Sequence, residues 1–362
     1  MQVNLGRERY LAAQRTLRQE VYRDDPLYRD STTPLIEMVL DPKGCTVARA
    51  EVTPVVVTDA RECPVATCVL IRAQGLPDTL QVAFFEALPG QEAAVELLVE
   101  TARESARRGG ATRIVAGMNG HVNNGLGFLA GPWDSPASFG SSYNPPYYID
   151  YMRHHSSSEE PMIAYSYQIS DLGFEREQRI LDRALKSYTF RTSRLGELRT
   201  EIGIYTDLNN RCFGEHPLYY DRSVDEDMEL FRAFSRFLSD ENFLIAEFRG
   251  EPVGFILWYP DFNELLPKGG SLGTAAFLKL KVLHRRIEKV RLAEIGVVPE
   301  HWGSGLILGL FSKGVGIARD RHSVVEAGWI LTSNLRSKGL ASRWADAPCR
   351  HYSVFEIDAG RS

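Results

Sequence analysis

Apolar residues recur at helical spacing from Arg7 to Tyr22, where Tyr10, Leu11, Leu17 and Val21 make one stripe that Asp24-Asp25-Pro26 stops. From Thr46 to Val57, Thr67 to Ala73 and Leu80 to Glu86 the pattern changes to β-branched runs, read as antiparallel strands. A second amphipathic helix is predicted over Glu92 to Arg108, with Gly110 as its C-cap, followed by a strand at Thr112 to Gly117. Residues 119 to 151 break the rhythm. They are rich in Gly, Asn, Pro and aromatics, and read either as an acceptor pocket or lid, or as a surface loop packed on its own rings.

The later chain resumes with a strand at Ile163 to Ile169 and helices at Arg176 to Leu185, Leu195 to Cys212 and Val224 to Leu238. A hairpin follows, Phe243 to Phe248 and Val253 to Tyr259 around Arg249-Gly250. Leu272 to Ile287 reads as a basic amphipathic helix. After it come a strand at Arg291 to Val298, a helix at Gly305 to Arg319, a strand at Val324 to Leu331, a helix at Ser333 to Trp344 and a last strand at His351 to Ile357. The two halves repeat one order of elements, so the expected fold class is α/β (α+β) twice over, with domains at 1–185 and 186–362.

Composition narrows the classes. The 362 residues are 44% hydrophobic and include 17 Phe, 15 Tyr and 5 Trp, too many rings for a disordered chain. A net charge of -5 disfavours nucleic acid as a partner. No apolar run approaches the ~20 residues of a membrane span, and the polar start is unlike a secretory signal. A soluble cytoplasmic protein is expected, with no membrane partner. Its five scattered cysteines suggest neither a disulfide framework nor a metal cage, so no metal is expected. A homodimer is compatible with the composition.

The sharpest local feature is the strand-turn-helix running from Arg291 through Val298-Pro299-Glu300-His301-Trp302-Gly303-Ser304-Gly305-Leu306. A glycine pair ahead of a long helix lets backbone N–H groups approach an anion. The string is neither a Walker loop nor a dinucleotide fingerprint. It resembles the GNAT acyltransferase superfamily, whose strand leads into Val-x-Pro-x-x-Arg/Gln-Gly-x-Gly-x-Gly/Ala and a helix. Trp329-Ile330 at a strand end and Asn334 opening a helix match the superfamily's next motif. Leu17-x-x-x-Val21-Tyr22-x-x-Asp25-Pro26, the run Tyr143-Asn144-Pro145-Pro146-Tyr147-Tyr148, Pro260-Asp261-Phe262-Asn263 and Tyr352-x-x-Phe355-Glu356 resemble a bacterial family of tandem GNAT-like proteins.

The resemblance implies two GNAT-like domains in tandem, each a mixed, mostly antiparallel twisted sheet flanked by helices. It implies direct transfer of an acetyl or short acyl group from acyl-CoA, a co-substrate rather than a covalently held cofactor, to a small-molecule amine. CoA would lie along Ile295, Gly296, Val297 and Val298, over Trp302, Gly303, Ser304, Gly305, Leu306, Ile307 and Leu308, and beside Asn334. Trp302 stands where the superfamily has Arg or Gln, and Ile307 where it has a small residue; the first half offers only the short turn Leu88-Pro89-Gly90-Gln91. Glu294 takes the place of the catalytic base; the bland alternative is a solvent-facing group or an ion pair with Arg291. The superfamily's acid tyrosine is replaced by Ala341 with Ser342 beside it, leaving Ser342, Tyr143 or a tyrosine such as Tyr147 for the acid. Tyr147, Tyr148, Glu326 and Trp329 are expected around the acceptor. Two other readings stand beside this one. The chain also resembles Fem-type ligases, which use aminoacyl-tRNA and would employ the basic stretch Lys279 to Arg286, and a non-catalytic GNAT-like binding protein would explain the degenerate motif.

Overall fold

The computed structural model describes residues 1–232 and 234–360. Seven strands come from the first half: β1 Gln2–Leu5, β2 Ala50–Thr58, β3 Pro64–Ala73, β4 Thr79–Ala87, β5 Arg113–Ala116, β6 Phe128–Gly131 and β7 Ser156–Gln168. Six come from the second: β8 Thr189–Thr192, β9 Phe243–Phe248, β10 Glu251–Pro260, β11 Lys289–Val297, β12 Val324–Leu331 and β13 Arg350–Asp358. They join in one sheet ordered β1-β2-β3-β4-β5-β13-β7-β12-β11-β10-β9-β8, with β6 also paired to β13. Among the described residues only β4–β5 and β11–β12 pair in parallel; the other strand pairs are antiparallel.

The order is nearly palindromic about the β13–β7 ladder, and the two halves exchange their closing strands. β13 pairs with β5 of the first half, while β7 pairs with β12 of the second. The cores follow the strands. Phe355 and Ile357 pack with the helix Glu92–Gly109 and strands β2 to β5. Tyr165, Tyr167 and Ile169 pack among residues of the second half. The helix Gln178–Ser187 straddles the expected boundary at 185/186 and lies against the helix Leu306–Ala318 of the second half.

Local chemistry accounts for most elements. Gly110 sits in the left-handed region and closes its helix with backbone N–H bonds. Arg249 and Gly250, both at positive φ, make the two-residue hairpin between β9 and β10. Several expectations are corrected. Cys45–Arg49 is a short helix rather than the start of a strand, its first N–H bonded to the Glu229 carboxylate. The helix at 224 ends at Arg232. The basic helix covers only Thr274 to Val282, leaving His284, Arg285 and Arg286 in irregular, exposed chain, while Lys279 and Lys281 donate to backbone carbonyls. The basic residues therefore do not form one helical face. Within 119–151 the chain is ordered, with β6 and a helix Tyr147–His155 that divides the aromatic run. The adjacent pair His154 and His155 meets Glu96 at the surface.

The two parallel ladders stop early. β4 and β5 pair only as far as Val82 and Ala116, and β11 and β12 only as far as Leu292 and Ala327. Beyond those points the strands part, so each half has a wedge walled by strand edges whose N–H and C=O groups need other partners.

The exchange makes a specific demand. Phe355 is fully buried, and truncating such a ring typically costs ~3–5 kcal/mol. Phe355→Ala should lower stability to urea by about that amount. Hydrogen exchange should quicken in the helix Glu92–Gly109, far away in sequence, more than in the helix Leu306–Ala318.

Candidate functional site

The wedge of the second half opens into a cavity of about 330 Å³. Its walls include Leu292 to Ile295 of β11, Ala327 to Leu331 of β12, Ile307 and Phe311 of the following helix, and Val122 to Gly125, Phe139 and Gly140 of the 119–151 segment. A β-bulge shapes this wall: Leu292 pairs with Trp258 and Glu294 with Leu257, leaving Ala293 unpaired. The extra residue resets the alternation of side chains. Arg291 and Glu294, three positions apart, thus share a face with Tyr259 and Leu257 and line the same cavity.

Glu294 accepts hydrogen bonds from the Tyr205 hydroxyl at 2.9 and 3.0 Å and from the Asn209 amide. It forms no ion pair with Arg291 within 4.0 Å. Burial pushes its carboxyl up to about 7, against the lowering effect of Tyr205; Asp227 adds to the rise, while Asn209 and Arg222 oppose it. A group poised near neutrality, reachable from a cavity, has the properties of a general base. The helix Leu198–Phe213 supplies Tyr205 and Asn209, and Asn123 ties the network to the first half by donating to both.

Just ahead of the helix whose Ile307 lines the cavity, Gly303 and Gly305 adopt positive φ of 74° and 82°. The N–H of Leu306 is taken by Ser304 Oγ and that of Leu308 by the Gly305 carbonyl. Those of Gly303, Gly305 and Ile307 have no acceptor among the described residues, leaving three donors at a helix N-terminus able to hold an anion such as a diphosphate. Gly305 has a second duty. A Cβ there would lie 2.4 Å from Ile180, so its smallness seats the helix Gln178–Ser187, whereas a Cβ on Gly303 would meet nothing within 4 Å. Gly296 likewise admits Cys212 and Phe255. Val297, Val298, Leu306 and Leu308 are core residues, and Ile295 and Ile307 face the cavity. Trp302 is 40% exposed, donates from Nε1 to the Val297 carbonyl and carries Arg336 over its ring. Asn334 caps the helix Leu335–Ala341 and lines the cavity, as does Trp329.

The remaining candidates lie elsewhere. Ser342 is exposed at the far end of its helix. Glu326 is buried below the cavity, 3.5 Å from Lys289 Nζ. Tyr143 donates to Asp25, and Tyr147 and Tyr148 belong to the first half. There the tyrosines fill the other wedge: Tyr147 donates to the Ala87 carbonyl, Tyr148 accepts from the Ala87 N–H, and Tyr151 bridges the Leu88 carbonyl and the Gln91 N–H. These are the strand-edge and turn groups that match, by way of Leu88-Pro89 and Val298-Pro299, the open edge of the second half. The aromatic run that suggested an acceptor pocket closes a wedge instead, because the helix starting at Tyr147 packs its rings onto β4.

Several cavity groups carried no signal in the sequence. Tyr167, brought in on the exchanged strand β7, donates to the Ala341 carbonyl at 2.7 Å, beside the position where the superfamily has its tyrosine. His216 accepts from the Leu218 N–H through Nδ1, packs edge-on to Trp329 and has a buried Nε2 without a partner; burial pulls it down to about 4, so it is neutral. Tyr205 and Tyr219 complete the polar wall.

No family model matches the chain. In sequence it is similar to Protein YghO of Escherichia coli (strain K12), 23% identical over 260 residues, a match covering 68% of this chain and 66%, just under two thirds, of that protein. In structure it is similar to a tandem GNAT protein from the clavulanic acid biosynthesis pathway, with a TM-score of 0.58 at 14% identity and the whole of both chains covered. It is also similar to a GCN5-related N-acetyltransferase from Sphaerobacter thermophilus, with a TM-score of 0.53 at 14% identity, covering 100% of this chain and 96% of that one. No described helix is long and apolar enough to cross a membrane. The paired wedges, the parallel ladders that open them and these two structural likenesses give the same answer: the chain has the tandem GNAT fold.

Proposed function

We propose that the protein is an acyl-CoA-dependent N-acyltransferase that works in its second half. The observation that carries this reading is the open wedge between β11 and β12, with Glu294 on its wall and three N–H groups without acceptors at the start of the helix whose Ile307 lines it. The first half would be a scaffold, its own wedge already filled by Tyr147, Tyr148 and Tyr151. A free edge of β11 beyond Leu292 suits an extended amide-bearing chain, and the N–H groups of Gly303, Gly305 and Ile307 suit its diphosphate. Acyl-CoA supplies the activated acyl group. The chain's share is to hold the acceptor amine in attacking position and to manage protons.

Glu294 takes the proton of the ammonium, directly or through a water, which its carboxyl near 7 allows at neutral pH. Tyr167 is our choice for the acid that protonates the departing sulfur, because it is the cavity tyrosine bonded at Ala341. Tyr143, Tyr147 and Ser342 are set aside for this role by their distance from the cavity wall. The substrate amine and the acyl length are unassigned by this reading.

The diphosphate site is tested by two substitutions at one open position. Gly303→Asn and Gly303→Asp carry the same backbone strain, which Asn and Asp tolerate best among residues with a Cβ. Calorimetry should show CoA bound at least ~10-fold more weakly by the Asp variant than by the Asn variant, through charge repulsion alone. Equal affinities would move the diphosphate elsewhere.

Glu294 predicts a pH signature. The rate kcat/KM should rise with pH through an apparent pKa close to 7, and Glu294→Gln should remove that limb and lower turnover about 10²-fold. Stability moves oppositely. The folded carboxyl keeps its proton to a higher pH than the unfolded one, so its contribution is complete at acid pH and is lost as pH rises through 7. Glu294→Gln should therefore melt higher than the wild type at pH 8, with the difference vanishing towards pH 4. A flat rate profile with a verified substrate would reassign the base.

A further inference from the structure

The same cavity contains a charge that the acyl transfer leaves unused. Arg291 is only 6% exposed, yet it makes no ion pair within 4.0 Å, and the side chain it bonds is the neutral phenol of Tyr259. Its Nε is sealed from solvent without a partner, and the rest of the guanidinium meets the cavity. Other buried cations are treated differently. Arg18 is paired with Asp30 and Glu86, Arg222 with Asp227, and Arg350 donates to the carbonyls of Pro132, Ser135 and Pro136. Burying a guanidinium costs several kcal/mol unless something compensates it, so an unpaired one lining a cavity marks a missing anion.

The surroundings set the sign of that anion. Tyr259, Tyr352, Glu326 and Asp261 face Arg291, but Asp261 and Glu326 already share Lys289, at 3.1 and 3.5 Å. The carboxylates gather at Lys289, whose backbone N–H also donates to Glu264, and none lies within 4.0 Å of Arg291. The bulge at Ala293 puts Arg291 on the face of Glu294, deeper in the wedge and farther from the diphosphate turn.

From this placement we infer that Arg291 holds the carboxylate of a substrate. This rests on the acyltransferase reading for the identity of the reaction, but the carboxylate site is defined by Arg291 itself. The carboxylate belongs either to the amine acceptor, which would then be an amino acid, or to the acyl group, which would then be the half-thioester of a dicarboxylic acid. The planar fork of arginine recognises either one through paired N–H donors.

Both sources can be tested with the full-length protein. In the first arm, thiol release from acetyl-CoA is followed with a panel of α- to ω-amino acids and their decarboxylated amines. In the second, simple amines are offered with succinyl-CoA and with acetyl-CoA. Binding of each panel member is also measured by thermal shift. One arm should favour the carboxylate-bearing substrate by on the order of 10²-fold. Arg291→Met should erase that preference, and Arg291→Lys, which keeps the charge but loses the fork, should restore part of it. If the Met variant does not fold, the Lys variant alone should show a reduced preference. Substrates with and without carboxylate treated alike in both arms, or a preference unchanged in a folded variant, would overturn the assignment. So would the absence of any carboxylate-dependent binding. Carboxylate binding that depends on Arg291 in a protein that does not bind CoA would uphold this inference and reject the acyltransferase reading.

Discussion

The antiparallel ladder between β7 and β13 is the interaction on which the rest of the structure depends. Each of these strands closes the half of the chain it does not come from, so neither half can complete its sheet alone. An unclosed half would present a long free edge with an apolar face, a poor folding unit and an aggregation hazard. Exchange turns two small sheets into one and joins their cores, with Phe355 and Ile357 on one side and Tyr165 and Tyr167 on the other. It also couples the site to both halves. Tyr167 reaches the cavity only because β7 crosses over, and Asn123 reaches Tyr205 and Asn209 from the irregular segment of the first half.

The same backbone device occurs twice with opposite outcomes. A parallel ladder that stops early leaves strand-edge groups unsatisfied, and buried edge groups must find partners. In the first half Tyr147, Tyr148 and Tyr151 provide them, and the wedge is solid protein. In the second half no described side chain fills the gap, and the space remains a cavity whose wall includes Glu294 and Arg291. Phe84 occupies the first-half position that matches Glu294 and is buried in a hydrophobic cluster with Tyr10 and Ile36. The divergence of the halves is thus written in a few side chains on a shared frame.

Electrostatics gives the open wedge its character. Glu294 is held by neutral donors and kept near its midpoint by burial, while Arg291 is buried with no carboxylate within 4.0 Å and an unpartnered Nε. Both arrangements cost stability, and both are confined to one cavity. Other buried cations among the described residues have partners, as Arg18 with Glu86, Arg222 with Asp227 and Arg350 with backbone carbonyls show. Local cost concentrated where a ligand would relieve it is the pattern expected of a binding or catalytic site.

Much was determined by the sequence alone, where the controlling physics is local. The helix Glu92–Gly109 with its Gly110 cap, the Arg249-Gly250 hairpin and the strand-turn-helix from Arg291 to Ala318 follow from periodicity, positive-φ residues and capping. So did the placement of Glu294 on the strand leading to the glycine turn. Strand partnership was decided only in three dimensions, because β5–β13 and β7–β12 join residues far apart and no local pattern records which edge a strand will meet. The bulge at Ala293 was likewise invisible, although it alone brings Arg291 and Glu294 to one face. Tyr147 and Tyr148 of the 143–148 run looked suited to an open pocket by composition; packing onto β4 made them a plug. His216 and Tyr167 carry no motif, and only tertiary contact gives them a place in the cavity wall.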